Sequence, residues 1–64
     1  MPFIIMIEIY RNVLIQIIAD DFGYHWVAYH QNKSIDSSKQ GGFDDLKSAL
    51  DHAHQQIDWY LGED

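Results

Sequence analysis

The sequence predicts an α+β fold, an antiparallel meander of three or possibly four strands followed by one C-terminal helix packed on one sheet face. Three observations carry this. The first thirty residues are rich in branched and aromatic side chains, which pack well on a pleated surface. Turn-forming residues interrupt them at short intervals. From Asp44 onward the apolar spacing lengthens from two residues to three or four, the period of a helix.

The elements follow in order. Ile4, Ile5, Ile7, Ile9, Val13, Ile15, Ile17 and Ile18 favour one long strand, or two strands meeting near Tyr10-Arg11-Asn12. Asn12 suits a left-handed bend there. Asp20-Asp21-Phe22-Gly23 reads as a turn, with Gly23 supplying a positive φ. Residues 24–30 form the next strand. Tyr24, Trp26, Ala28 and His30 point one way, and His25, Val27 and Tyr29 the other. Trp26 is expected in the core, because aromatics dominate small cores. Asn32-Lys33 fits a two-residue hairpin turn into a short polar strand over residues 34–38. Lys39-Gln40-Gly41-Gly42 is a loop.

In the helix, Asp44 is the expected cap, and Asp45 suits the positive end of the helix dipole. Leu46, Leu50, Ala53, Ile57, Tyr60 and Leu61 share one stripe, and Gly62 is the stop.

The 64 residues make a single domain over 1–64. Its core is marginal at this length, and association is a common remedy. No cysteine is present, so disulfides and thiolate metal sites are excluded. Four basic against ten acidic residues give a net charge of −6, which disfavours nucleic-acid backbones and anionic membranes. Glu8, Arg11, Asn12 and Gln16 interrupt the apolar opening, so it is not read as a membrane span. It lacks a basic leader and a small-residue cleavage site, so the chain is read as cytoplasmic.

The first segment is apolar on both alternating faces: Val13, Ile15 and Ile17 on one, Leu14 and Ile18 on the other. One helix covers one face of a small sheet, so the second needs another cover. A second copy of the chain, a different protein, or the N-terminal strand folded back would each supply it.

The stretch FGYHWVAYHQNKSIDSSKQGGFDDLKSALDHAHQQIDWYL, residues 22–61, resembles two groups of small proteins. In both, a glycine turn leads into an aromatic strand, a hairpin follows, and a helix closes the unit. GGFDDLKSALDHAHQQIDWYL resembles the helix of HicB-like antitoxin domains, with Ala49, Leu50, Ala53, Ile57 and Leu61 at the apolar positions. YHWVAYHQNKSIDSS resembles the YegP-like family of short strand-rich domains. The antitoxin resemblance implies a partner-binding role, and the YegP-like resemblance implies a fold.

Candidate chemistry is sparse. His52 and His54 lie about 200° apart on a helix and cannot share one metal ion. His54 can reach Asp51 and Asp58, which makes a weak zinc site conceivable. A solvated flank of local charge pairs is the preferred reading, and no metal or cofactor is expected. His25 and His30 fall on opposite faces of their strand, with no serine spaced to act as a nucleophile. Gly41-Gly42 is followed by two acids rather than a lysine, which repels phosphate. An enzyme is therefore not expected. Trp59 falls about 140° from the stripe, with His52 and Gln56 on the same side. These three are the expected partner-binding residues, since exposed large aromatics anchor interfaces.

The expected function is a small non-enzymatic protein-binding or regulatory module, self-associating as a homodimer or bound to another protein. An acidic decoy against a basic nucleic-acid-binding partner, and a HicB-like antitoxin fragment, are the alternatives.

Overall fold

The computed structural model describes residues 3–38 and 42–62. Within them the fold is α+β: four antiparallel strands in the order β1-β2-β3-β4, then one helix. The strands are β1 (Phe3–Tyr10), β2 (Val13–Asp20), β3 (Gly23–His30) and β4 (Lys33–Ser37), and α1 is Leu46–Leu61. The isoleucine-rich opening is two strands rather than one.

Three two-residue turns make the meander. Arg11 and Asn12 have φ of 53° and 66°, and Gln31 and Asn32 have 53° and 67°. Two successive left-handed residues match the right-handed twist of the strands they join. The β3–β4 turn is thus Gln31-Asn32, one residue earlier than Asn32-Lys33, and β4 starts at Lys33 rather than Ser34. In both turns asparagine, the non-glycine residue that best tolerates this conformation, stands second. In the middle turn the Phe22 N–H donates to Asp20 Oδ1 at 2.8 Å, and Gly23 follows with φ 122°.

Register then sorts the side chains. Ile15 pairs with Ala28, Ile17 with Trp26, Glu8 with Ile15 and Tyr10 with Val13, so these residues share the face under the helix. Val13, Ile15, Ile17, Trp26 and Ala28 meet Ala49, Ala53 and Ile57 of α1, and all are buried. Alanines at the contact let the helix approach the sheet closely enough for Trp26 to be fully covered.

The helix is capped by Asp45, not Asp44: its Oδ1 accepts the Ser48 N–H at 2.7 Å. Gly62 closes it with φ 79°, its N–H donating to the Asp58 carbonyl at 2.8 Å. Tyr60 is 51% exposed and Leu61 36%, against the expectation that both turn inward. The cause is position along the helix. Asp58 is already level with the β1–β2 turn, so the residues after it overhang the end of the sheet.

The helix is tied to the sheet at its entry. Tyr24 and Phe43 exchange backbone hydrogen bonds of 3.0 and 2.8 Å. Gly42 lies directly on the β2–β3 turn: a Cβ there would stand 2.0 Å from the Phe22 carbonyl oxygen. The loop residues 39–41 lie outside the described residues.

Candidate functional site

Three places carry side chains that folding leaves available or joins over long sequence separation. The first is the outer side of α1. Trp59 is 81% exposed, as its spacing predicts. His52 is not beside it on a wet face. Its Nδ1 accepts the Trp26 Nε1–H at 3.0 Å, and its ring lies 5.1 Å from that of Phe43. His52 lies on the Trp59 side by angle, but almost two turns earlier, where Trp26 and Phe43 rise next to the helix. With Nδ1 accepting, the neutral ring carries its proton on Nε2. Gln56 is half-buried, so of the three expected partner-binding residues only Trp59 stands free of the fold.

The contrast between the two tryptophans gives a direct test. Trp59→Ala is expected to change stability by less than about 0.5 kcal/mol, because little is buried there. It should also remove the acrylamide-quenchable, red-shifted part of the fluorescence and leave the shielded signal of Trp26. Loss of the shielded part instead would show that the two environments are exchanged.

The second place joins β1 to the helix. His54 Nε2 hydrogen-bonds Glu8 Oε2, and the Tyr10 ring stacks on His54 with centroids 4.1 Å apart. The Tyr10 hydroxyl donates to the Asp58 carboxylate at 2.8 Å, and Arg11 Nη1 donates to the same oxygen at 2.9 Å. Asp51 pairs with Lys47 at 2.8 Å. Asp51, His54 and Asp58 therefore do not form one wet acidic flank, because two of them turn to β1 and one to its own helix. Among the described residues no group of three His, Cys, Asp or Glu side chains is placed to hold a metal ion.

The Tyr10–Asp58 bond has two pH limbs. The Tyr10 hydroxyl, and then Arg11, hold the Asp58 carboxyl below its ordinary 3.8. The same bond raises Tyr10 above its ordinary 10.0. A lowered carboxyl stabilises the fold above its unfolded value, and that contribution is lost as pH falls through the folded value. A raised phenol stabilises fully below its unfolded value, and that contribution is lost as pH rises through the folded one. This pair should thus contribute a plateau from about pH 5 to about pH 9 with a loss on each side. Asp20, held down first by the Phe22 N–H, and Asp45, held down first by the Ser48 N–H, add to the acid limb. Melting temperature against pH is the measurement. Tyr10→Phe should flatten the alkaline limb, and an unchanged alkaline limb would count against the bond.

The third place is the sheet face away from the helix. Across the strands run the rows Ile9–Leu14–Tyr29, Ile7–Gln16–Val27 and Ile4–Ile18–His25. Ile4, Ile7 and Ile9 are 51%, 56% and 63% exposed. Instead of folding back over this face, β1 pairs with β2 at the edge of the sheet and widens it. Sequence reasoning found the face in β2 but not the part that β1 adds, because the strand assignment near Tyr10 was open. Asp20 and His25 sit at one end, bonded at 3.1 Å. The middle holds Gln16 and no charged side chain.

No protein-family model, curated protein or solved structure matches this chain when it is compared with each. What fold and sites define is a class, a four-stranded meander with one covering helix and one open apolar face.

Proposed function

We propose that the chain is a small non-enzymatic protein-binding module that works by contact through its open sheet face. One observation carries this reading: a contiguous apolar face, uncharged at its centre, with no element of the described chain laid across it. Contiguous apolar patches of that extent on small proteins mark interaction sites. The face is poor in polar groups to orient a small molecule, which needs a concave site with placed donors and acceptors. Three of the four histidines are engaged within the fold. His52 and His54 are engaged with Trp26 and Glu8, and His25 with Asp20. Trp59 offers a second, smaller contact at the end of the helix.

Hydroxyl-radical footprinting tests this. The chain is compared at sub-micromolar concentration in buffer, at about 500 µM in buffer, and at sub-micromolar concentration in an extract of its source cells. Protection of Ile7, Ile9, Val27 and Tyr29 in the concentrated sample or in the extract is expected. Equal reactivity of the face in all three would remove the reading.

A further inference from the structure

We infer that the occupant of the open face is a second copy of this chain, packed sheet on sheet about a two-fold axis. The inference rests on the contact reading above and assigns its partner. Three observations point to the chain itself.

The first is charge. The chain carries −6, so two copies meeting through an acidic surface would repel. Register and helix position put Glu8, Asp36, Asp44, Asp45, Asp51 and Asp58 on the helix side. On the open face Asp20 and His25, bonded to each other at one end, are the carboxylate and the imidazole within the β1–β3 rows, and the other titratable group there is the Tyr29 phenol. Stacked sheets lie about 10 Å apart, so the acids of the two helix sides would be separated by more than a Debye length of about 8 Å. A basic partner would find one carboxylate in these rows, Asp20, already bonded to His25 at the end of the face.

The second is self-complementarity. A two-fold contact places the same patch on both sides, so each feature must fit its own kind. The central rows of isoleucine, leucine and valine do so, and the hydroxyls of Ser34 and Ser37 on β4 at the rim both donate and accept. Gln16, the polar residue in the middle of the face, has an amide that both donates and accepts. Two copies of it can satisfy one another across the axis.

The third is area. The four strands hold 8, 8, 8 and 5 residues. At about 3.3 Å per residue and about 4.8 Å between strands, they present a footprint of about 460 Å² per copy. The pair therefore buries about 900 Å² of projected area, and side-chain relief raises the accessible area above that. This falls at the small end of specific interfaces, which is the range of reversible dimers. A domain of this size gains a second layer for its sheet in the process.

Sedimentation velocity of the full chain from about 5 to about 500 µM is the test, a range that covers reversible dimers. A monomer–dimer equilibrium is expected. Ile7→Lys and Ile9→Lys each put a charge on the face at positions already more than half exposed, so folding should survive. Far-UV circular dichroism checks that it does. Each variant should weaken the dimer at least about tenfold. Lys47→Ala, on the opposite side, should leave it unchanged. Two results overturn the inference. A parent chain that stays monomeric throughout excludes the second copy, while footprinting in extract still decides the contact reading. A dimer that survives both lysine variants is joined elsewhere, at a strand edge or through Trp59.

Discussion

Replacing Trp26 with alanine is expected to destabilise the chain by about 3–5 kcal/mol at 25 °C. The side chain is fully buried between β2, β3 and the helix, and it is the largest residue in the core. Removing a buried tryptophan costs about 3–5 kcal/mol in transfer and cavity terms. A chain of this length has a total stability of about 3–10 kcal/mol, so the loss is a large share of it. The substitution also strips His52 Nδ1 of its donor. Trp26→Phe separates the two effects. It keeps most of the apolar bulk and removes the indole N–H, at a cost of about 1–3 kcal/mol. Urea unfolding followed by far-UV circular dichroism measures both. An alanine variant within about 1 kcal/mol of the parent would mean that the helix side of the sheet is not the core.

Gly42→Ala should be nearly as damaging, though it removes nothing. Its Cβ would meet the Phe22 carbonyl oxygen at 2.0 Å, the Phe22 carbonyl carbon at 2.6 Å and the Gly23 Cα at 2.8 Å. All three are backbone atoms, so no side chain can swing away. Relief requires the chain before the helix to lift off the β2–β3 turn, which breaks the Tyr24–Phe43 pair of hydrogen bonds. The expected cost is about 3 kcal/mol, at the upper end for overpacking. Loss should appear first as hydrogen exchange at Tyr24 and Phe43, ahead of the β1–β2 amides. Gly23→Ala meets the same obstacle from the other side, with the Phe43 carbonyl oxygen at 2.6 Å and a φ of 122°. A Gly42→Ala variant with parental stability would show that this crossing is loose.

Much of the fold was legible in the sequence because alternation and helical spacing are local signals. The inward set of β3, the Asp20–Gly23 turn and the Gly62 stop all follow from residues within one turn or one strand. The misreadings share a cause. The β3–β4 turn falls at Gln31-Asn32 rather than Asn32-Lys33, because a left-handed glutamine has no composition signal. Asp44 and Asp45 are equal as caps on paper, and the backbone path out of the Tyr24–Phe43 pairing decides between them.

For the candidate site, the exposure of Trp59 is legible because its angle turns it from the sheet and its place after Asp58 puts it beyond the sheet's end. His52 was not, since its partner Trp26 is 26 residues away and appears only when the helix crosses β3. His54 likewise meets Glu8, 46 residues distant, rather than its helix neighbours Asp51 and Asp58. Tyr60 and Leu61 carry the right angle but lie past the end of the sheet, which periodicity does not encode.

The order β1-β2-β3-β4 bears on how quickly the molecule assembles. Every strand pairs with its neighbour in the chain, across turns of two residues. Each hairpin can therefore close on its own within about 1–10 µs, without waiting for a distant segment. The slow event is bringing the helix back onto β2 and β3, which closes the loop between Tyr24 and Phe43. Local hairpins shorten the search, while the long-range helix contacts place the fold among mixed domains of intermediate folding rate. Substitutions in the β2–β3 hairpin should then slow folding, while those at the helix contacts with β1, such as Tyr10→Phe, should mainly speed unfolding.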